Sequence, residues 1–500
     1  MKELGRNLEQ AEKENYDLII VGSGIYGIML SLEASRRDLK TLLLEKGDFG
    51  GETTLNHLKT VHGGLRYLQT LDIKRFMESV KERKWFLKYF PEYVNTMQCL
   101  MPLYGQGVKR NFILRIVLLL NDILSFTRNL GLRKDKKLPM GSILSHAKTK
   151  KEFPAVKSEG MTGSALWFDA NIGEFQRFNM KVLHTASSMG LDTINYFKVE
   201  NITSSKKKVS GIEGTDLLSG KKFRFKGSVV VNASGPWSRE SAKVFDTDYP
   251  ELFKKNLLLW NILFDRKALS GSALGLSPNK GKGHTYFFHP WKGRLLVGTG
   301  EIVVGDIKDD VKVPEKEIKK FIDDINSAVP GIELNKKDIV KIYKGLLPAS
   351  DKGKLSKRPS FINHSGNGGP NGLYSVSGVK FTTSRLVAEE LIKKIFPSHS
   401  PVPYDSVFKT EEKKGDDLFF GYSDEVTGND KKKLKNIIEN ESVFHLSDLI
   451  LRRTSLGENP ERALKVLEKI KELFPWDEKK WKEEKQKMEK ELRSELKREK

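Results

Sequence analysis

The sequence predicts an α/β protein with a parallel-sheet domain, a mixed-sheet second domain and a helical C-terminal cap. An apolar run at 16–21 ends in glycines, a helical pattern follows, and an apolar run at 40–46 completes a β-α-β unit of about thirty residues. Two later apolar runs, 228–235 and 372–378, also end in glycine, as buried parallel strands do. Beyond about Ser400 the composition becomes rich in Lys and Glu, and this part of the chain is predicted to be helical.

Size and composition bound the class of protein. The chain has 500 residues and a mass of 56.8 kDa, which is too much for one ordinary core, so two or three domains are expected. Hydrophobic residues make up 38% and charged residues 30%, as is typical of a soluble globular protein. The net charge of +22 favours anionic partners such as nucleic acid, acidic lipid or phosphorylated metabolites, although a Lys-rich proteome gives the same total.

The chain offers few signs of secretion or membrane insertion. Cys99 is the single cysteine, so an intramolecular disulfide and a Cys-based metal site are both excluded, and we expect no bound metal. The segment 1–15 is polar and charged, unlike a secretory signal. The longest apolar stretch, 112–126, contains Arg115 and Asp122 and is too short to cross a hydrocarbon core of roughly 30 Å. We therefore expect a cytoplasmic protein without a transmembrane helix.

Periodicity and turn residues predict the remaining elements. Helices are predicted at 25–37, 73–90, 112–126, 179–189 and 314–328. A further helix is predicted to follow the run 372–378 and to end at Lys394. Strands are predicted at 192–201, 209–217, 221–225, 286–288 and 294–297. Irregular loops are expected at 47–64 and 128–137, and a solvated helix or frayed tail at 477–500.

The sharpest motif is Gly22-Ser-Gly24-Ile-Tyr-Gly27, which joins the first strand to its helix. Gly22 permits a tight turn, Gly24 lets the backbone approach a pyrophosphate, and Gly27 allows the helix to pack closely on the strand. The helix N-terminus offers N–H groups and a partial positive charge to the phosphates. Glu45 closes the second strand, where an acid can accept hydrogen bonds from an adenosine ribose. These features predict a Rossmann-like dinucleotide site.

FAD and NAD share this fingerprint, and three later features favour FAD. One is the strand that runs into Asn232-Ala-Ser-Gly-Pro-Trp237. Another is the strand–helix junction 377–383, where Lys380 and a helix N-terminus could stabilise negative charge on a reduced flavin. The third is the polar, irregular loop 53–68 beside the dinucleotide fold. A core strand, a capped surface helix and a solvated loop are the alternative explanations.

Together these segments resemble the FAD-dependent glycerol-3-phosphate dehydrogenases, members of the D-amino-acid-oxidase-like flavoproteins. The resemblance extends from about residue 16 to 460 and includes the fingerprint. Its other segments are 43–49, His62-Gly-Gly-Leu-Arg-Tyr-Leu68, 167–170, 232–237, 378–383 and 448–456. The segments 62–68 and Arg452-Arg453-Thr454 are the most specific to this family. The implied domains are an FAD-binding domain (16–80, 170–240 and 343–398), a substrate domain (81–169 and 241–342) and a cap (399–500).

The resemblance also implies a set of FAD-binding residues. They are Gly22, Gly24, Ile25, Tyr26, Gly27, Glu45, Lys46, Thr53, Thr54, His62, Gly63, Gly64, Val199, Ala233, Gly235, Trp237, Gly378, Val379, Lys380, Phe381 and Thr382. The implied reaction is hydride transfer from the secondary alcohol of sn-glycerol 3-phosphate to the flavin, which leaves dihydroxyacetone phosphate. Among the implied catalytic residues, His62 would take the hydroxyl proton, and Lys380 and Arg358 would contact the substrate anion and the developing oxyanion. His284 and His289 could line the substrate pocket.

The chain departs from the family pattern on the substrate side. The family carries Arg where this chain has Leu347, and the Ser-rich stretch before the His-Gly-Gly segment is replaced at 54–58. Val379 replaces the second Gly of a Gly-Gly-Lys sequence. Leu347 supports an alternative, an FAD-dependent oxidoreductase acting on a different hydroxy acid, amine or phosphorylated polyol. The charge alone supports a non-catalytic flavoprotein or an RNA-modifying enzyme, and we expect no nucleic-acid partner because no aromatic–basic RNA motif is present.

Reduced flavin needs an electron acceptor, and the resemblance implies a membrane quinone or another acceptor. The apolar segment 112–126 could lie on the inner face of the cytoplasmic membrane, as a peripheral association. A buried helix beside a basic loop is the alternative. The basic residues around this segment are Lys109, Arg110, Arg128, Arg133, Lys134, Lys136 and Lys137.

Overall fold

A computed structural model describes residues 3–105, 110–245, 255–278, 284–305, 307, 311–350, 353–356, 358–408 and 425–496. Lys109, which the sequence places beside the apolar segment, and residues 497–500 of the predicted tail lie outside the described residues. In the described part of the chain, no helix combines the length and the apolar character needed to span a membrane.

The strands in these ranges are β1 (Asn15–Val21), β2 (Thr41–Leu44), β3 (Thr60–Val61), β4 (Val94–Leu103), β5 (Ser142–Leu144), β6 (Gly163–Ile172), β7 (Asp192–Ile194), β8 (Phe197–Ser205), β9 (Lys208–Asp216), β10 (Lys222–Asn232), β11 (Lys255–Lys267), β12 (Ala273–Leu276), β13 (Tyr286–Trp291), β14 (Arg294–Val304), β15 (Ile339–Ala349), β16 (Ser360–Asn363) and β17 (Leu373–Ser377). The α-helices are α1 (Leu8–Lys13), α2 (Ile25–Ser35), α3 (Glu52–Leu55), α4 (Leu65–Leu68), α5 (Ile73–Tyr89), α6 (Asn111–Leu124), α7 (His146–Glu152), α8 (Phe175–Ser188), α9 (Ser238–Val244), α10 (Glu315–Ala328), α11 (Ser384–Ile395), α12 (Tyr404–Val407), α13 (Gly428–Asn440), α14 (Pro460–Ile470) and α15 (Glu478–Leu496).

The first sheet is the predicted parallel one. Strands β17, β10, β1, β2 and β7 lie side by side in that order, and every neighbouring pair among them is parallel. β16 adds antiparallel to β17, and β8 and β9 form an antiparallel extension at the start of β10. Leu18, Ile19 and Ile20 of β1 are fully buried, as expected for a parallel strand covered on both faces. Helix α2 packs against α8 and α11 on one of these faces.

The second sheet is mixed and mainly antiparallel, as predicted. Its order is β15, β11, β14, β13, β12, β4, β6 and β3, with β5 paired to β6. The β12–β4 pair is parallel, whereas the other described pairs of this sheet are antiparallel. Phe321 and Ile325 of α10 pack into one core with Trp260 of β11 and Phe288 of β13, because α10 presents an apolar stripe to the sheet.

The C-terminal region is helical and has a core of its own. Helices α13, α14 and α15 and the π-helical turn Asp448–Arg453 surround a cluster that includes Leu434, Leu449 and Val466. The sequence predicts a solvated or frayed tail over 477–500, but α15 buries Trp481 and Met488 in this cluster. The reason is that an apolar stripe at helical spacing lies within the Lys- and Glu-rich run.

The helices predicted at 25–37, 73–90, 112–126 and 314–328 agree with α2, α5, α6 and α10 to within a few residues. The strands agree less well: the predicted strand 294–297 extends to residue 304 as β14, the runs 221–225 and 228–235 form the single strand β10, and β4, β6 and β15 were not predicted. Two further differences concern the segments 192–201 and 47–64. The predicted strand 192–201 is divided into β7 and β8, because Tyr196 adopts a left-handed conformation with φ of 55° between them. The predicted loop 47–64 contains the short elements α3 and β3. The domain boundaries remain a prediction; the proposed boundary at residue 343 falls inside β15, which pairs with β11.

Candidate functional site

A cavity of about 940 Å³ lies at the carboxyl ends of the parallel strands. Its lining includes the residues that end or follow these strands: Val21, Leu44, Tyr196, Ala233 and Gly378. In open parallel sheets, ligands bind at this position. The volume is near the upper end of the roughly 300–1,000 Å³ usual for small-molecule sites. The cavity therefore has the position and the size expected for an extended cofactor.

Most of the predicted cofactor-binding residues line this cavity. They are Gly22, Gly24, Ile25, Tyr26, Glu45, Lys46, Thr53, Thr54, Val199, Ala233, Gly235, Trp237, Gly378, Val379, Lys380 and Phe381. The other predicted site residues, which are not part of the lining, are Gly27, His62, Gly63, Gly64, Arg358 and Thr382.

The three fingerprint glycines meet different steric demands. Gly22 has a φ of +104°, and Gly27 has no room for a Cβ because that atom would overlap the Gly22 carbonyl oxygen. At Gly24, in contrast, the nearest chain atom to a Cβ would be the Thr54 Oγ1 at 3.4 Å, an ordinary contact. Packing within the chain thus explains Gly22 and Gly27 but not Gly24. The space beside Gly24, at the N-terminus of α2, fits a ligand's phosphate groups.

Glu45 is held rigidly at the end of β2. Its Oε2 accepts hydrogen bonds from the Ser23 backbone N–H at 2.7 Å and the Ser23 hydroxyl at 2.9 Å. Its Oε1 accepts from the Gly47 N–H at 2.8 Å. A carboxylate with two oxygens has further lone pairs, so an oriented Glu45 on the cavity wall can still accept from a ribose hydroxyl.

Another part of the cavity wall is built by the turn after β17. The Tyr26 hydroxyl donates to the Lys380 carbonyl at 3.0 Å and accepts from the Lys380 N–H at 3.3 Å. A Cβ at Gly378 would overlap the Tyr26 ring, so only glycine fits there. Because Tyr26 lies in the first turn of α2, these hydrogen bonds link the start of α2 directly to the turn after β17.

Lys380 is the cation of this turn. It lines the cavity, and its Nζ lies 4.2 Å from the centre of the Tyr67 ring. Burial, followed by the nearby Arg75, lowers the pKa of Lys380 to about 8. No carboxylate lies within salt-bridge distance of Lys380 in the described ranges of the chain, so its charge is available to a ligand. Arg358, the other predicted anion contact, is exposed.

The three histidines that the sequence analysis considered, and His57 of the same loop as His62, occupy different environments. Burial lowers the pKa of His62 to about 4, although Asp169 acts in the opposite direction, so this imidazole is neutral at pH 7. His57 lines the cavity, donates from Nδ1 to the Thr54 carbonyl at 2.8 Å and stacks on Phe381. His284 donates from Nε2 to the carbonyl of Thr299, a lining residue, at 2.9 Å. His289 is fully buried.

Asp169 joins the two family segments 62–68 and 167–170. Its Oδ1 accepts from the Gly63 N–H at 2.5 Å and from Arg83 at 2.7 Å, and its Oδ2 accepts from the Trp167 indole at 3.0 Å. A Cβ at Gly63 would overlap the Arg83 guanidinium. The Gly63 position is therefore explained by packing on α5, and the segment positions His62 and Tyr67 beside Lys380.

The sequence analysis did not identify several of the residues that line the cavity. Asn261 lines the cavity from β11, where it interrupts the apolar run 257–264. Its Oδ1 accepts from the Thr299 hydroxyl at 3.1 Å. A buried amide in such a strand is a signal that could have identified it, whereas Leu58 and Ile307 carry no such signal.

Comparison with known proteins decides the family. Residues 17–394 match the family described as FAD dependent oxidoreductase. The chain belongs to this family. It is an FAD-dependent oxidoreductase, and the space at Gly24, the oriented Glu45 and the cavity fit that cofactor.

Relatives and a solved structure give the oxidoreductase a narrower context. It is 30% identical over 413 residues to a glycerol-3-phosphate dehydrogenase of Synechocystis, covering 78% of this chain and 72% of that protein. It is 31% identical over 394 residues to an aerobic glycerol-3-phosphate dehydrogenase of Staphylococcus epidermidis, covering 77% and 67%. The structure of the glycerol-3-phosphate dehydrogenase from Bacillus halodurans complexed with FAD matches with a TM-score of 0.70 at 19% identity, over 98% of this chain and 96% of that chain. The predicted fold class is thereby confirmed.

Proposed function

We propose that this oxidoreductase oxidises sn-glycerol 3-phosphate to dihydroxyacetone phosphate and passes the electrons to a quinone. The observation that carries the proposal is the lysine at the end of the cavity, Lys380, which has no carboxylate partner among the described residues. A fixed cation there suits an anionic substrate and a negative charge that develops during the reaction. The names of the relatives from Synechocystis and Staphylococcus epidermidis support the same substrate.

In this proposal Gly22, Gly24 and Glu45 would hold the adenosine and pyrophosphate part of FAD, and the turn 378–381 would hold the flavin part. When bound, FAD supplies the acceptor for the hydride that leaves the alcohol carbon. The resemblance assigns the hydroxyl proton to His62, whose imidazole is neutral at working pH and whose charged form Asp169 stabilises. His62 lies beside Tyr67 and outside the cavity lining, so the substrate would have to reach it past Tyr67. Lys380 contacts the substrate oxygen on which negative charge accumulates. Because its pKa is lowered to about 8, its ammonium group can also exchange a proton near neutral pH.

The test is an anaerobic titration of the holoprotein, followed by the absorbance of oxidised flavin. We expect sn-glycerol 3-phosphate to bleach the band and sn-glycerol 1-phosphate to leave it oxidised, because the reacting hydrogen must face the flavin in one orientation. Dithionite serves as the control that the flavin can be reduced. If dithionite bleaches the flavin but sn-glycerol 3-phosphate leaves it oxidised, sn-glycerol 3-phosphate is ruled out as the substrate.

Leu347 favours a second candidate substrate. This side chain lines the cavity beside Leu346 and Leu259, so the wall formed by β11 and β15 is aliphatic at these positions. A different hydroxy acid, amine or phosphorylated polyol would then be the substrate of the same flavin chemistry. The same titration with a panel of these compounds separates the two candidates.

For the electron acceptor, we propose that the oxidoreductase docks on an anionic membrane surface through α6. Phe112, Leu119 and Ile123 of this helix are 73%, 54% and 55% exposed, while Leu118 is buried against the body of the protein. Phe126, just after the helix, is 80% exposed. An exposed apolar face of this kind, rimmed by basic residues, is typical of an interfacial helix.

The basic rim is smaller than the sequence suggests. Arg128 and Lys136 are buried; Arg128 pairs with Asp122 at 3.0 Å, and Lys136 donates to Asn95 at 2.8 Å. They are therefore unable to contact lipid headgroups. The exposed cations of the described residues in this region are Arg110, Arg115, Arg133, Lys134 and Lys137.

Replacing Phe112 and Phe126 together by serine tests the membrane surface. We expect a roughly hundredfold weaker partition onto vesicles that contain phosphatidylglycerol, because each buried Phe side chain contributes about 1.5–3 kcal/mol. Vesicle sedimentation measures the partition. The matched control replaces Leu217 and Leu218, which are 46% and 39% exposed on a distant turn, by serine. Equal sedimentation of the Phe variant and the wild type would contradict this docking surface.

A further inference from the structure

The wall that the second sheet contributes to the cavity carries no charged side chain in the described part of the chain. Its lining residues on β11, β14 and β15 are Leu259, Asn261, Thr299, Gly345, Leu346 and Leu347. The lining cations all belong to other elements; they are Lys46, Lys198, Lys380 and Arg452. A substrate group that contacts the wall of the second sheet therefore meets two polar side chains, those of Asn261 and Thr299, among aliphatic residues.

These two polar side chains are oriented by one hydrogen-bond network. The Asn261 Nδ2 donates to the Asn56 carbonyl at 3.4 Å, and because a carbonyl can only accept, this contact fixes which end of the amide faces Asn56. The Thr299 hydroxyl donates to the Asn261 Oδ1 at 3.1 Å. Asn261 is only 5% exposed, so hydrogen bonds must offset the cost of removing its amide from water.

The network leaves hydrogen-bonding capacity for a ligand. The Asn261 amide nitrogen has two hydrogens, and the Asn56 contact uses one of them. The Thr299 oxygen donates its single hydrogen to Asn261 and keeps lone pairs that can accept. The pair thus offers one donor and one acceptor. A hydroxyl group is complementary, since it accepts one bond and donates another, whereas a carboxylate or a dianionic phosphate can only accept.

The loop that precedes His62 places this pair close to the turn 378–381. Asn56 contacts Asn261, and the next residue, His57, stacks on Phe381 with ring centres 4.2 Å apart. Thr53 of the same loop exchanges hydrogen bonds of 2.9 and 3.1 Å with the backbone of Leu346. Two residues, Asn56 and His57, therefore separate Asn261 from the turn that the proposed function assigns to the flavin.

We infer that Asn261 and Thr299 determine specificity by binding a neutral hydroxyl group of the substrate. The inference rests on the proposed function, in which this group is the terminal hydroxyl of sn-glycerol 3-phosphate. Lys380 contacts the oxygen that is being oxidised, and the pair on the second sheet contacts the neighbouring hydroxyl. A substrate without that hydroxyl leaves the buried amide unpaired, which is why sites of this kind select strongly for the hydroxylated compound.

The test measures the preference for the hydroxyl as a ratio of two dissociation constants. Dihydroxyacetone phosphate and hydroxyacetone phosphate differ only in the terminal hydroxyl. Both are already ketones, so their binding to the oxidised holoprotein can be followed by the flavin difference spectrum without turnover. We expect the wild type to bind dihydroxyacetone phosphate roughly tenfold more tightly, because loss of a hydrogen bond to a buried polar group has about this effect. In Asn261→Leu the ratio should fall to about twofold or less.

The matched control is Asn256→Leu, because Asn256 is a buried asparagine of the same strand that lies outside the cavity lining. It should keep the wild-type ratio. Thr299→Val keeps the shape of the side chain and removes its hydroxyl, so it should lower the ratio as Asn261→Leu does. Flavin content and the far-ultraviolet circular dichroism spectrum check that each variant is folded. A purely structural role of Asn261 would weaken both ligands equally and leave the ratio unchanged.

Flavin reduction by sn-glycerol 3-phosphate tests the proposed substrate separately. If this compound leaves the wild-type flavin oxidised but the ratio still depends on Asn261, the hydroxyl subsite stands and the proposed substrate fails. If the flavin is reduced but Asn261→Leu and Thr299→Val both keep the wild-type ratio, the substrate stands and the inference is overturned. A wild type that binds both ketones equally, or binds neither, would overturn it as well.

Discussion

Replacing Gly24 by valine should abolish FAD binding and leave the protein folded. Gly24 has φ of −62° and ψ of 176°, a conformation that valine adopts readily. The nearest chain atom to its Cβ would be 3.4 Å away, so a Cβ at this position overlaps no atom of the chain. The branched side chain would instead occupy the space at the N-terminus of α2 that the pyrophosphate needs. Loss of two or more charge-assisted hydrogen bonds corresponds to a decrease in FAD affinity on the order of a hundredfold or more.

The measurement is the ratio of flavin to protein absorbance after dialysis against FAD, with the far-ultraviolet circular dichroism spectrum as the test of folding. Gly271→Val is the matched control, because a Cβ at Gly271 would meet no atom within 4 Å and this glycine is exposed and outside the cavity lining. A yellow Gly24→Val protein with full FAD content would show that the pyrophosphate lies elsewhere. Gly27 is a poorer choice for this test, since its Cβ would overlap Gly22 and disturb the fold itself.

Replacing Arg453 by methionine should give the largest loss of stability. Arg453 is fully buried and donates from Nη1 and Nη2 to Asp48 at 2.7 and 2.8 Å. It also donates to the Glu441 carbonyl at 2.9 Å. Removing Arg453 takes two charge-assisted hydrogen bonds from the buried Asp48 and leaves Arg452, at 2.8 Å, as its remaining cation. Breaking a buried ion pair costs about 3–5 kcal/mol. We expect a corresponding decrease in the free energy of unfolding and in Tm.

The pH dependence of unfolding gives a second measure of the same ion pair. Burial alone would raise the pKa of Asp48, but Arg453 and Arg452 lower it to about 2. The folded pKa is below the ordinary value, so the stability from this carboxylate is present at neutral pH and lost as the pH falls toward about 2. The variant should lose much of this acid sensitivity. Arg224→Met is the control, because Arg224 is 70% exposed in its pair with Glu213 and should contribute at most about 1 kcal/mol. Equal unfolding free energies for Arg453→Met and the control would contradict the prediction.

The cofactor half of the site could be predicted from the sequence because its signals are local. The glycines of the fingerprint, the adjacent strand and helix, and Glu45 lie within about thirty residues, and each has a defined steric or electrostatic task. The turn that carries Lys380 could likewise be predicted, because the apolar run 372–378 ends in glycine and a helical pattern follows it. The break at Tyr196 was not, because an aromatic residue rarely adopts positive φ and nothing in the strand pattern marks it.

The substrate half was less predictable because it is assembled from distant segments. Asn261 and Leu347 face the cavity only because β11 and β15 pair with each other, and sequence pattern does not define that register. The position of Arg75 beside Lys380 depends on how α5 packs against the first sheet's helices, including α11. Leu347 could be identified from the sequence as a departure from the family pattern, but its neighbours in the cavity wall, Leu346 and Leu259, required the structure.

The position of Arg452 has a consequence for how the protein is made. Arg452 donates to Asp48 at 2.8 Å and lines the same cavity as Gly22, which precedes it by more than four hundred residues. During synthesis the ribosome releases the fingerprint long before this arginine, so a nascent chain lacks part of the cavity wall until its C-terminal helices emerge. We therefore expect tight binding of FAD only after the segment that carries Arg452 has been synthesised and packed against Asp48.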